Sequence, residues 1–261
     1  MNHDNNRLQC LDDEQKRACQ LGLWGLLPLW HDLDPALRTR VCDAQTAERY
    51  ARSLTRRTDS SRIGIFKPVH DFDWDWPEHI DRQVVEELLT SSFLAQAVNP
   101  IFIGPTGTGK SMLAKNIAHG ALLRGRTVRM VSVADLLADL GRNAVGDGRS
   151  RALRRYISPA LLVLDDLGQT AYDNSQADAL FTVIAARHLR RSTMITTQAS
   201  FGQWHQVFPN AACVHKLIDL LTHVSEVIEI KGESFRLREA TERKARLEVE
   251  RAQSRHAAAQ R

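Results

Sequence analysis

Nothing in this 261-residue chain is apolar for long enough to cross a bilayer. The longest such run, Leu21-Gly-Leu-Trp-Gly-Leu-Leu-Pro-Leu-Trp30, is too short and is broken by Pro28. Cysteine is scarce: Cys10, Cys19, Cys42 and Cys213 are scattered with no C-x-x-C pair. That spacing argues against a zinc centre or a disulfide framework and predicts reduced thiols. The N-terminus, Met1-Asn-His-Asp-Asn-Asn6, lacks the charged and apolar regions of a secretory signal, and no internal repeat is present. With 43% hydrophobic and 25% charged residues, the remaining expectation is a soluble, cytoplasmic globular protein. Its length suits one substantial core plus an appendage, and no membrane partner is expected.

What is present is a phosphate-loop pattern, G-x-x-x-x-G-K-[ST], in the order strand, glycine loop, helix. Gly104, Pro105, Thr106, Gly107, Thr108, Gly109, Lys110 and Ser111 follow the apolar Ile101-Phe-Ile103 and precede a helix-like stretch from Met112 to Ala118. Glycines let backbone N–H groups close around phosphate oxygens, and the helix that follows turns its positive end toward the same anion. Lys110 would reach the β- and γ-phosphates of ATP, and the Ser111 hydroxyl would hold Mg²⁺. The nucleotide-binding set is therefore Gly104 to Met112.

Residues 1–66 read as a helical N-terminal domain. Leu8, Leu11, Ala18 and Leu21 keep rough helical spacing, and a long amphipathic helix is expected from Pro35, at a Pro-first helix start, to about Arg57. Ser60-Ser61 and Gly64 loosen the chain before a second domain, 67–237. Val69 to Pro77 alternates aromatic and acidic residues and reads as an extended linker tucking Phe72, Trp74 and Trp76 against the core. A helix from Ile80 to Phe93 then leads to the phosphate-loop strand. Strands are expected at Thr127–Ser132, Leu161–Leu164, Thr193–Thr197 and Glu226–Ile230. Between them lie helices at Ala134–Leu140, Arg151–Ile157, Ser175–Arg190 and Ala211–Thr222, with a Gly- and Arg-containing loop at Gly141–Ser150. Apolar strands separated by helices mean an α/β fold, a parallel sheet covered on both faces. Residues 238–261 read as a solvated helix or a frayed basic tail.

Leu161-Leu-Val-Leu164 ends in Asp165-Asp166, carboxylates at the strand end where ligands sit in open α/β sheets. Asp165 would coordinate Mg²⁺ beside Ser111, and Asp166 could orient or deprotonate the attacking water. Thr196-Thr197-Gln198 ends the next strand, where Gln198 could touch the γ-phosphate or that water. Lys110, Asp165, Asp166 and Gln198 are thus the catalytic candidates.

The net charge is only +4, but the arginines fall in separate zones. One holds Arg49, Arg52, Arg56 and Arg57, a second Arg149, Arg151, Arg154 and Arg155, and a third follows Arg236. Several such zones favour a polyanionic partner, and the first two are the candidate DNA contacts.

The order of Gly104–Ser111, Leu161–Gly168, Thr193–Gln198, Phe201-Gly-Gln-Trp-His-Gln-Val-Phe208 and Glu229-Ile-Lys-Gly-Glu-Ser-Phe-Arg-Leu237 resembles the IstB helper ATPases of bacterial insertion sequences. These are relatives of the DnaC helicase loader and the DnaA initiator. The resemblance runs from about Glu48 to Ala240. It implies an AAA+ P-loop ATPase with a five-stranded parallel sheet, preceded by a small helical domain. Such a protein binds duplex DNA without strong sequence preference, assembles on it with ATP into a higher oligomer, and assists the element's transposase. The resemblance also exposes a departure. The family pattern D-R-L-x-H places an arginine finger where this chain has Leu220, in Asp219-Leu-Leu-Thr-His223. Either Lys216, Arg190 or Arg191 serves instead, or hydrolysis is slow and ATP is mainly assembly glue. Two rival expectations remain: a DnaC-like loader on single-stranded DNA, and a weakly hydrolysing scaffold.

Overall fold

Five short runs rich in β-branched and aliphatic residues form the centre of the computed structural model, which describes residues 11–143, 146–209 and 212–259. They are β1 (Asn99–Ile103), β2 (Val128–Ser132), β3 (Leu161–Leu167), β4 (Ser192–Thr197) and β5 (Ser225–Glu229). All pair in parallel, in the order β2-β3-β4-β1-β5. Successive residues of a strand face opposite sides, so a strand buried at every position is covered on both faces. That holds for β1, β4 and the Leu161–Leu164 part of β3, while the edge strands β2 and β5 are partly exposed. The apolar periodicity therefore gives the right sheet. The phosphate-loop strand and the acidic strand are not neighbours, because β4 lies between them.

The chain divides into two units, Met1–Arg56 and Arg57–Arg261. In the first, α1 (Asp13–Gln20) is started by a reciprocal capping box between Asp12 and Gln15. A 3₁₀ stretch, Trp24–Asp32, contains Pro28, and it buries Trp30 against Ala18 and Cys42. The helix α2 (Pro35–Ser61) begins at its expected proline and runs through the division between the units. Leu8 and Cys10 lie outside the described residues. Cys19, Cys42 and Cys213 are free thiols.

In the second unit the expected extended linker is instead turned. Val69–Asp71 is a 3₁₀ turn and further turns follow. Phe72 is buried there and meets Trp74 edge-on. The helix α3 (Arg82–Leu89) is capped by Asp81 and ends earlier than expected, because Ser91 adopts a left-handed conformation, φ 63°. After β1 come α4 (Lys110–Leu123), then α5 (Val133–Arg142) and α6 (Gly146–Ile157) between β2 and β3. Most of the loop expected at Gly141–Ser150 is thus helical. The Asp139 carboxylate ties α5 to α6, accepting from Arg155 at 2.6 Å and the Tyr156 hydroxyl at 2.7 Å.

The helix α7 (Asn174–Arg187) starts at an Asp173–Gln176 capping box and stops short of Arg190. Its last residue, Arg187, turns into the protein and is 1% exposed. After it come α8 (Val214–Thr222) and α9 (Phe235–Ala259), so the segment beyond Leu237 is helical. Ala211, the expected start of α8, lies outside the described residues. No helix among the described residues is long and apolar enough to cross a membrane.

Candidate nucleotide site

The phosphate loop bends where it does because Gly107 and Gly109 adopt φ of 84° and 98°, a region side chains avoid. Close packing adds to the requirement. A Cβ on Gly104 would lie 2.2 Å from the Ile230 carbonyl oxygen, and one on Gly109 would lie 2.5 Å from Phe72. Thr108 Oγ1 donates to the Pro105 carbonyl at 2.9 Å, bracing the turn. The loop ends at Gly109, the N-cap of α4, so the helix presents its unpaired N–H groups to the loop's concave side.

Lys110 lies almost buried, and its ammonium donates to the carbonyls of Gly104 at 2.8 Å and Pro105 at 2.7 Å. Burial pulls its pKa below the ordinary lysine value, Arg236 adds to the fall, and Asp166 and Asp165 oppose it. Ser111 Oγ donates to Asp165 Oδ1 at 2.8 Å, and Thr196 Oγ1 donates to the same oxygen at 2.5 Å. These residues come from α4, β3 and β4, so the strand order delivers the second motif to the first.

The register between β3 and β4 shifts between Leu164 and Leu167, a bulge that turns the strand end toward the loop. Asp166 sits in it at φ 59°, strained for a non-glycine residue, with its N–H donating to Thr196 Oγ1 at 2.9 Å. Burial raises the Asp166 pKa, and Asp165 raises it further, while Lys110, Gln169 and Arg236 hold it down. A carboxyl group pushed upward beside a lowered lysine is the pairing expected where charge will be handled.

A cavity of about 290 Å³ opens over the loop. Thr106 to Met112, Asp166 and Gln198 line it, whereas Gly104 and Pro105 act from beneath through their carbonyls. Sequence reasoning missed three of its walls. Phe72 and Trp76 come from the turned aromatic–acidic segment, and Arg236 comes from the start of α9. Trp76 Nε1 donates to the Glu233 carbonyl at 3.1 Å, and Arg238 stacks 4.4 Å above the Trp76 ring while pairing with Asp73 at 3.1 Å. The alternation of aromatic and acidic residues was the available signal: the rings pack and Asp73 reaches back to α9.

A hydroxyl and a carboxylate 2.8 Å apart are hard oxygen donors of the kind Mg²⁺ takes, with phosphate oxygens and water completing its shell. The residues present fit that ion. Leu220, the position at which the resemblance led to the expectation of a finger arginine, is half-buried against the core, and its carbonyl lies 3.0 Å from His188 Nδ1. Lys216 lies over the Phe181 ring, 5.6 Å from its centroid, and Arg190 and Arg191 are exposed.

The candidate DNA arginines divide. Arg49 donates to the Gln20 carbonyl at 2.5 Å and Arg57 to the Leu122 carbonyl at 3.3 Å, both closing helix ends. Arg155 pairs with Asp139, and Arg52 with Glu48. Arg151 donates to the Asp147 carbonyl at 3.3 Å. Arg56, Arg149 and Arg154 are exposed.

A phosphate loop on β1, carboxylates on β3 and a hydroxyl strand between them define a P-loop nucleotide-binding protein of the AAA+ class. The DnaC helicase loader, in its crystal structure, shares that fold with a TM-score of 0.52 at 18% identity, over 67% of this chain and 99% of its own. The IstB-like ATP binding protein family matches residues 36–243, and the chain belongs to that family. An insertion-sequence ATP-binding protein from Geobacillus stearothermophilus is 33% identical over 77% of this chain and 80% of its own length. Another, from Bacillus thuringiensis subsp. berliner, is 30% identical over 68% and 72%.

Proposed function

We propose that this chain is the ATP-dependent, sequence-tolerant DNA-binding helper of an insertion sequence, assembling on duplex DNA and assisting the element's transposase. In this reading residues 67–237 form the ATPase domain and residues 1–66 the DNA-binding and assembly domain, with 238–261 a basic tail. Lys110 and the loop N–H groups bind the phosphates, and Ser111 and Asp165 hold the metal ion. Asp166 positions or deprotonates water, and Gln198 meets the γ-phosphate. The exposed arginines Arg52, Arg56, Arg149, Arg151 and Arg154 contact backbone phosphates. Such contacts position a protein on DNA without selecting sequence, which suits a helper that accepts many targets.

The observation that carries the reading is the 2.8 Å contact of Ser111 with Asp165 beneath an intact phosphate loop, in a chain of an insertion-sequence ATP-binding family. Leu220 supports slow hydrolysis, with ATP serving chiefly to hold the assembly, since a half-buried leucine supplies no charge to a neighbour's phosphate. The test is binding to duplex and single-stranded oligonucleotides of several sequences across a salt series with ATP, with phosphate release followed in the same samples. Duplex preference, indifference to sequence and slow release are expected. Preference for single strands would favour the loader-like alternative and overturn this reading.

A further inference from the structure

A second cavity, of about 480 Å³, runs along the edge strand β2, between Arg155 and Tyr156 of α6 and Asp165 of β3. Lys115 lines both this cavity and the nucleotide cavity. Its wall carries the cations Arg62, Lys115, Arg129, Arg142 and Arg155 against the carboxylates Asp135, Asp139 and Asp165. The acids are largely committed. Asp165 accepts from Ser111 and Thr196, and Asp135 from Ser132 at 2.7 Å. Asp139 alone serves Arg155, Arg142 and the Tyr156 hydroxyl.

The remaining cations meet only neutral groups among the described residues. Arg129 donates one N–H to the Ser60 carbonyl at 3.0 Å and stacks over Tyr156, while its Nε is buried without a partner. Lys115 donates to the Ile65 carbonyl at 3.4 Å. Arg62 has no carboxylate partner among the described residues, and it follows the last residue of α2 at φ 58°, the left-handed conformation in which many helices end. Burial, then repulsion from Arg62 and Arg155, lowers the Arg129 pKa. Guanidinium groups clustered with an unused donor and too few carboxylates match the oxygens of a phosphate group.

The geometry points to an oxyanion site of the phosphate class in this cavity, distinct from the phosphate loop, with Arg62 and Arg129 holding the anion. The occupant is either a DNA phosphodiester or free phosphate. The inference rests on the cavity's charge balance and not on the DNA-binding reading, so the two can fail separately.

The full chain is first saturated with a non-hydrolysable ATP analogue, which fills the loop, and then titrated with inorganic phosphate while its melting temperature is followed. A saturable rise is expected in the wild type, with half-saturation weakened about tenfold or more in Arg62→Ala and Arg129→Gln. Arg62 is exposed and makes no described hydrogen bond, so Arg62→Ala carries the test should Arg129→Gln fail to fold. The same variants are then bound to duplex DNA. A log–log salt slope smaller by about one assigns the site to a phosphodiester. An unchanged slope with a lost phosphate response assigns it to free phosphate. No phosphate response in the wild type, together with unchanged DNA binding in both variants, overturns the site.

Discussion

Asp166 is held where a carboxylate is least comfortable: in a strained left-handed turn, partly buried, with Asp165 as its chain neighbour. Its pKa is raised in the folded protein, so between the ordinary carboxylate value and the raised one the native state keeps a proton that the unfolded chain has lost. The stability contribution therefore falls as pH rises through that window and stays lower above it. Asp166→Asn removes the charge while keeping the shape. Nucleotide-free protein carrying it should melt higher than the wild type at neutral pH, and the acid-side slope should flatten, as followed by thermal melts over a pH series. The same variant should lose phosphate release if Asp166 handles the attacking water. An equal or lower melting temperature at every pH would remove the electrostatic strain argued for this residue. The shape of the loop is legible residue by residue because it is local: Gly107 and Gly109 at positive φ, Lys110 and Ser111 all fall within eight positions of sequence. Arg236 is not, because only the return of the chain past β5 brings it beside Lys110. The arginine zones could be counted in the sequence, but the carbonyls of Gln20 and Leu122 that occupy Arg49 and Arg57 could not.

Among the elements, the strands are legible in the sequence and the helix ends less so. Strand positions follow from runs such as Leu161–Leu164 that must be buried on both faces, whereas helix ends depend on caps and single backbone conformations. Ser91 at φ 63° keeps α3 from continuing into the 3₁₀ turn Ser92–Ala95, and the bulge at Asp165-Asp166 extends β3 to Leu167. The turn after α7 has a different anchor. Arg187 donates to the carbonyls of Tyr156, Ile157, Pro159 and Ser192 and to Thr193 Oγ1, joining the end of α6 to the start of β4. Burial, with Arg191 nearby, pulls its pKa down to about 9, so it remains charged at neutral pH. Replacing it with methionine leaves those acceptors unpaired in the interior. Arg187→Met should therefore cost about 3–5 kcal/mol in urea denaturation. Nucleotide affinity should stay near the wild-type value, since the clasp lies at the opposite ends of the strands from the phosphate loop. A loss below about 1 kcal/mol would mean that water replaces the guanidinium's bonds at little cost.

For the whole molecule, the strand order matters more than any one motif. Placing β4 between β1 and β3 sets Thr196 against Asp165 and leaves the phosphate loop open on the side where Arg236 and Phe72 enter. The family relationship was legible because its motifs span the chain, from the phosphate loop to Gly232-Glu-Ser-Phe-Arg-Leu237. Partner surfaces are harder to read, since an exposed arginine has the same sequence signature whether it meets DNA or water. The proposed function makes nucleotide the switch for assembly, acting through a loop whose lysine is parked on its own carbonyls until phosphate displaces them. The most direct test is the size of the complexes formed on random-sequence duplex DNA, with and without ATP, by the wild type and by Lys110→Ala. The account predicts large complexes only for the wild type with ATP, and small ones for Lys110→Ala under either condition. Equal, ATP-dependent assembly by both proteins would contradict it.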